Sequence, residues 1–435
     1  MRDFESYYAA GETWAEHGDP YSTDIWKFEQ RIPGVQAART ELLPFIGPPA
    51  FLPLWALFAQ LPFGTAAILW GFILVASAVM FAVVILRFTD TLSAGAFLSV
   101  AVLMIGFGPF TSDLALGQAA FLSFVACTGA AAMLERREMV SVIWTFFAAL
   151  QPNIALVLLS QANRRRAWLV FSVAFLTFVG ACIAFAGWPH AIAYVCDLNA
   201  HANAERFVLI QMSPPAIIYG FGATQTVAAV CGVLFAIAAL GVCIAIVRRA
   251  DVKPIWKLAA SCALLPFIVP FFHEHDFIVL LLPAILCAAL CEGPLWSAAA
   301  TGTVLAAVDW LGLAQRPDGM AQSLLLAAAS LCALFALSDV SWRRLFAPAG
   351  VLGILAGLGF LAQSHIAPIW PDAMHGAVSL SGSVAQIWHE ELAHTGEFAV
   401  NPFWALLRSL SLAGTALLAW ATYASAVRRD QLEIS

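Results

Sequence analysis

Four groups of polar residues stand out in a chain that is 61% hydrophobic and only 11% charged. The first is Arg2-Asp3-Phe4-Glu5-Ser6-Tyr7-Tyr8, followed by Gly18-Asp19-Pro20-Tyr21. A carboxylate such as Asp3 can take the proton of a hydroxyl as it attacks; its structural alternative is to cap a helix starting at Phe4. Asp19, before Pro20, reads as a turn residue. The second group, His273-Glu274-His275-Asp276, puts four ionisable residues between two apolar runs, a position that suggests function. Its imidazoles can orient a phosphate, or Asp276 can simply cap the next helix. A spacing of two is poor for a pair of helical metal ligands and no third ligand is identified, so no metal is expected. In the third group, Asp197, His201 and Glu205 are four apart and share a helical face. That face reads as interfacial and amphipathic, with Arg206 beside it able to grip a phosphate. The fourth group is His365, Asp372, His375, His389, Glu390, Glu391, His394, Glu397 and Arg408. His394 is one residue too far from His389-Glu390 for an HExxH zinc-protease motif. The region is expected to shape an acceptor pocket, with Arg408 touching phosphate or snorkelling. Asp113 is a further acid, either a cap or a donor-side ligand.

The elements that hold these groups must be membrane helices. Mean hydropathy is +0.84 and net charge −6 over 435 residues. This excludes a soluble domain, a disordered chain and a nucleic-acid binder. Residues 1–50 hold a quarter of all charges, and 51–86 hold none. The nine cysteines form no CxxC pair and read as buried small hydrophobes rather than disulfides or metal ligands. P-loop, GxSxG and dinucleotide fingerprints are absent, as are a signal peptide and repeats of 20–50 residues.

A span needs about 20 apolar residues. Such runs lie near 65–87, 92–110, 115–134, 167–187, 224–247, 256–272, 276–291, 295–314, 321–339, 345–363 and 409–427. Residues 44–62, with five prolines, read as interfacial. Residues 139–162 are broken at Gln151-Pro152-Asn153 and carry basic residues at both ends. A re-entrant pair of half-helices fits the positive-inside rule there; a crossing helix with one misplaced basic cluster is the alternative. The expected architecture is an all-α integral membrane protein with about eleven spans and one domain, 1–435. It divides into an external loop with interfacial helices (1–64), a transmembrane bundle (65–363), an external loop (364–408), and a last span with a cytoplasmic tail (409–435). An external 1–64 segment has to be delivered across the membrane, so a further span before Met1 is expected.

The first loop resembles that of glycosyltransferase family 87. The likeness rests on Asp3-Phe4, Tyr7-Tyr8-Ala9-Ala10, Gly18-Asp19-Pro20-Tyr21, Phe45-x-x-Pro48-Pro49 and Leu61-Pro62. It continues through Leu116-Gly117-Gln118, Gln151-Pro152 and Arg164-Arg165-Arg166, in order over roughly 1–290. Two departures are visible: the family's first span is absent from this chain, and Gln151 stands where the family often has Lys. The resemblance implies a GT-C fold and transfer of a hexose, mannose first, from a polyprenyl-phosphate-sugar donor to a lipid or glycan acceptor. It further implies inversion, no cofactor, and an extracytoplasmic site in a multi-pass inner (plasma) membrane protein surrounded by membrane lipids. By position, Asp3 matches the catalytic base, and Asp113, Gln118, Arg206, His273, His275 and Arg408 are the candidates for donor or acceptor binding. A transporter or flippase of lipid-linked saccharides and a polymer ligase-type enzyme are the competing readings. The broken helix at 139–162 would suit the first, and the long last loop the second.

Overall fold

The computed structural model describes residues 1–33, 42–310, 312, 319–365 and 382–434, with side chains as far as Arg428. The described residues form helices and turns and contain no strand. Two packed regions matter for the site. The larger is the helical bundle, whose core includes Phe81, Phe121, Phe124, Trp256, Phe277, Trp296 and Trp404. The smaller is an aromatic cluster built by the first helix, Arg2–Ala15, against Leu52–Ala59 and the start of Phe63–Phe88.

The first helix owes its seat to its aromatic residues. Phe4 stacks on Trp70 at 5.8 Å and meets Phe58 edge-on at 5.7 Å. Tyr7 stacks on Trp55 at 4.7 Å, and the Tyr8 hydroxyl donates to Leu61 O at 2.8 Å. Each aromatic pair contributes about 0.5–1.5 kcal/mol beyond the area it buries. An acidic, charge-rich helix is thereby held against the apolar bundle.

Among the described residues, six helices are long and apolar enough to cross a bilayer: Phe63–Phe88, Arg165–Ala204, Gln225–Arg248, Gly319–Ala336, Trp342–Ala362 and Pro402–Arg428. A seventh span arises if the bent pair Ala94–Gly106 and Gly108–Leu116 is counted as one. Other runs expected to span are shorter helices: Ala120–Met133, Pro254–Ile268 and His275–Leu290 by the same test, and the 14-residue Gly293–Ala306. The helices therefore support a helical membrane protein but not a count of eleven. The reason is visible in Pro254–Ile268, where Trp256 through Pro266 are all buried. A helix that is apolar over most of its surface sits equally well in a protein core or in lipid, so hydropathy alone does not separate the two.

Within 139–162 the break falls where Gln151-Pro152 predicts. Glu138–Ala148 ends there and a short turn, Pro152–Ala155, runs into a 3-10 stretch, Leu156–Gln161. Each half is too short to cross a bilayer. Another bend lies at Gly106-Phe107-Gly108-Pro109, where Ala94–Gly106 and Gly108–Leu116 meet at 71°. Close backbone approach also knits the bundle: a Cβ on Gly302 would lie 2.5 Å from Gly414 O, so Gly293–Ala306 and Pro402–Ile434 touch through glycine.

Candidate active site

A cavity of about 270 Å³ lies where the aromatic cluster meets the bundle. Its wall draws on distant parts of the chain: Asp3 and Tyr7, Gln118, Gln151, Glu205, His273 to Asp276, Asp309 and Trp388. Of the expected site residues, Asp3, Gln118, His273 and His275 share this cavity.

Asp3 is the second residue of its helix, and Met1 holds the cap position. Its carboxylate therefore does not cap the helix; it accepts a hydrogen bond from Gln118 Nε2. The same amide accepts at Oε1 from the Tyr7 hydroxyl, 2.7 Å, and from Gln151 Nε2, 3.4 Å. Gln118 reaches this place because Gly117 ends the preceding helix at φ 75°, a left-handed turn natural to glycine. A Cβ at Gly117 would come within 2.9 Å of the Phe4 Cβ, so the turn is also a contact with the first helix. Burial pushes the Asp3 carboxyl above the ordinary aspartate range, more than Arg2 and the Gln118 bond pull it down.

A second part of the cavity wall is organised by Glu205. Helix Arg165–Ala204 breaks at Gly187, φ 77°, and its second half carries His201 to the cavity with Glu205 at its end. Glu205 faces His201 Nε2 at 2.9 Å and His273 Nε2 at 3.0 Å, and accepts from Gln211 Nε2 at 2.7 Å and from Trp388 Nε1. Burial alone would raise this carboxyl, but His201 and His273 together hold it well below the usual glutamate range. For His273, burial works against the charged ring, yet the bond and charge of Glu205 outweigh it and raise the imidazole. His275 is pushed well below the normal histidine value by burial and then by the charge of His273. The two rings stack at 5.3 Å, with His275 Nε2 3.8 Å from Asp276 Oδ1.

Three expected candidates lie outside the cavity lining. Asp113 is buried, and its Oδ1 accepts from Phe121 N at 3.2 Å, which makes it a cap for Ala120–Met133. Arg206, one residue beyond Glu205, is only half-buried and does not line the cavity. Arg408 is buried in the last helix with Nε 3.1 Å from Met212 Sδ, under the charges of Glu274 and Glu397. Of the fourth group, His389 Nδ1 lies 3.0 Å from Ala204 O, whereas Asp372 and His375 lie outside the described residues. Asp19 is a turn residue, its Oδ1 accepting from Tyr21 N at 3.0 Å.

Several cavity residues went unassigned in the sequence reading. Glu205 had the four-residue spacing but was given to an interfacial face. Asp309 sits inside the apolar run 295–314, and an acid in such a run is itself a signal of function. It accepts from Gly312 N at 2.7 Å and from Ser112 Oγ at 3.3 Å. Trp388 offered no sequence signal: helix Val384–His394 delivers it from the last loop.

Among protein-family models, "Glycosyltransferase family 87" matches residues 45–272. That range takes in Gln118, Gln151 and Glu205 but ends just before His273 and begins after Asp3. No curated protein and no solved structure matches the chain. The match favours glycosyl transfer over the transporter and ligase readings. With just over half of its residues inside it, this helical membrane chain belongs to glycosyltransferase family 87, a membership that implies glycosyltransferase activity.

Proposed function

We propose that the protein transfers a hexosyl group, mannose first, from a polyprenyl-phosphate donor to a hydroxyl of a lipid or glycan acceptor. Transfer occurs with inversion, on the extracytoplasmic side of the inner membrane, in a GT-C-type bundle. The observation that carries this reading is the shared cavity of Asp3 and His273, 270 positions apart in the sequence and each within reach of the other's charge. A direct displacement at the sugar carbon needs a base for the incoming hydroxyl and positive charge for the departing phosphate. Asp3, with a carboxyl raised by burial, is the base. His273, oriented by Glu205 and with its imidazole raised by that carboxylate, faces the phosphate. The acceptor hydroxyl gives its proton to Asp3 while its oxygen bonds to the sugar, and the sugar–phosphate bond breaks with its electron pair going to phosphate. Trp388 and the last loop shape the acceptor end.

The test is sugar transfer by membranes carrying the wild type or Asp3→Asn, supplied with polyprenyl-phosphate mannose and, separately, polyprenyl-phosphate glucose. The expected result is transfer from one donor by the wild type, lost in the variant at equal protein level. Unchanged transfer in the variant removes the role of Asp3. Transfer from neither donor, with the protein folded, overturns the donor assignment.

A further inference from the structure

We infer that His273, His275 and Asp276 bind a divalent first-row transition-metal ion. A ligand atom from each of the three lies within 4.8 Å of the others. The sequence argues against a site because histidines two apart diverge on a helix. The structure removes that objection: the 3-10 helix begins only at His275, so His273 lies outside it, and the two rings stack at 5.3 Å. The sequence also lacks an evident third ligand, and Asp276 supplies it at the next position.

A second observation points the same way. His273 Nε2 is held by Glu205 Oε2 at 3.0 Å, which leaves Nδ1 as the ring nitrogen for an ion. A carboxylate on the far nitrogen of a ligating histidine is the usual way a protein fixes such a ring and raises its donor strength. Glu205 is itself fixed by Gln211 and Trp388, so the ring is oriented through several bonded layers. The cavity's charge also calls for a cation. Among the described lining residues, Asp3, Glu205, Glu274, Asp276 and Asp309 stand against Arg2 and three histidines.

Two imidazoles and one carboxylate suit Zn²⁺ or Mn²⁺ better than Mg²⁺ or Ca²⁺. Three protein ligands leave coordination positions open toward the cavity, as in sites where the ion meets a substrate oxygen. The binding claim stands apart from the proposed function; only the ion's use, to meet the donor's phosphate, rests on that reading.

The test uses the purified full chain in detergent, without donor. Mn²⁺ is the probe, because the nine cysteines would compete for Zn²⁺. Loss of the free-ion electron paramagnetic signal should give one Mn²⁺ per chain, with affinity at least tenfold weaker in His275→Gln and in Asp276→Asn. His190→Gln, on an exposed helix face, should bind as the wild type does. Pulsed measurements on bound Mn²⁺ in the wild type should show coupling to directly ligated imidazole nitrogen, a readout that needs no variant. Absence of stoichiometric binding, equal affinity in both variants, or an ion ligated by oxygen alone each overturns the inference.

Discussion

Asp3 and Glu205 are carboxylates on two walls of one cavity, and their surroundings treat them in opposite ways. Asp3 has one neutral side-chain donor, Gln118, and its burial keeps the proton-bound form within reach. Glu205 faces two imidazoles as well as an amide and an indole, and they hold it as an anion. The same functional group is thus tuned toward accepting a proton on one wall and toward fixing a cation on the other. Groups whose environments drive their ionisation apart mark a division between acid–base work and charge placement. The two walls also differ in origin. Asp3 depends on the aromatic packing of Phe4 and Tyr7, whereas Glu205 depends on the break at Gly187 and on a helix of the last loop.

The sharpest break in this comparison comes from Asp3→Asn. Asparagine keeps the shape and can still pair with Gln118, but it takes up no proton. Transfer should fall by about 10²–10⁴-fold, the usual worth of a general base. The melting temperature should stay near that of the wild type, because no buried charge pair is lost.

Glu205→Ala should show the reverse pattern, with the loss falling on stability. Removing one partner of a buried charge pair costs about 3–5 kcal/mol, and four polar side chains lose their acceptor. The pH dependence follows from the two shifts. Glu205 is lowered in the fold, so its contribution is complete above the ordinary glutamate value, about 4.3, and is lost as pH falls through the folded value. His273 is raised, so its contribution is complete below about 6.5 and is lost as pH rises through the folded value. The difference in melting temperature between wild type and Glu205→Gln should therefore be widest in mildly acidic buffer and shrink in alkaline buffer. A constant difference across that range would mean that the histidine carries no charge there.

Gln118→Ala sharpens the other wall. The Gln118 bond favours the charged form of Asp3, so its removal raises the carboxyl further. Asp3 must be unprotonated to act, so the acidic limb of kcat/KM should already lie above the usual aspartate range in the wild type. In the variant it should move further up, because the bond that favours the charged carboxylate is gone. A limb that stays put would assign it to another group.

Much of the Asp3 wall was legible in the sequence. An acidic, aromatic segment ahead of the first span is conspicuous, and Gly117-Gln118 sits at the start of the apolar run 115–134. His273 and His275 were legible because ionisable residues between apolar runs have few innocent explanations. The Glu205 wall was harder to read. Its spacing from His201 puts both on one face, but nothing local says whether that face meets the interface or a cavity; that is decided by Gly187, whose positive φ redirects the helix. Arg206 and Arg408 drew attention because cations suit phosphates, yet the first stays off the cavity and the second is buried beside Met212. Asp309 was hidden in an apolar run taken as a span. The spans themselves divide in the same way. Gln225–Arg248 is exposed on most of its surface and was read to within a residue or two, while Ala120–Met133 and Gly293–Ala306 are largely enclosed by protein, and apolar composition does not distinguish the two solvents.

The smallest expected effect is also the most discriminating. Trp388 donates its indole N–H to Glu205 Oε1 from a helix 183 positions away. Trp388→Phe keeps an aromatic ring in the wall and removes only that donor. A hydrogen bond to a charged group is worth about 1.5–3 kcal/mol. Glu205 keeps its histidines and Gln211, so the loss should fall near the low end, about 1.5 kcal/mol, read as a melting-temperature drop smaller than that of Glu205→Ala. The acidic limb of kcat/KM should not move, because Asp3 is tuned by Gln118 and by burial on the other side. Should the limb shift with Trp388→Phe, the two walls titrate as one unit, and the division of labour between Asp3 and Glu205 fails.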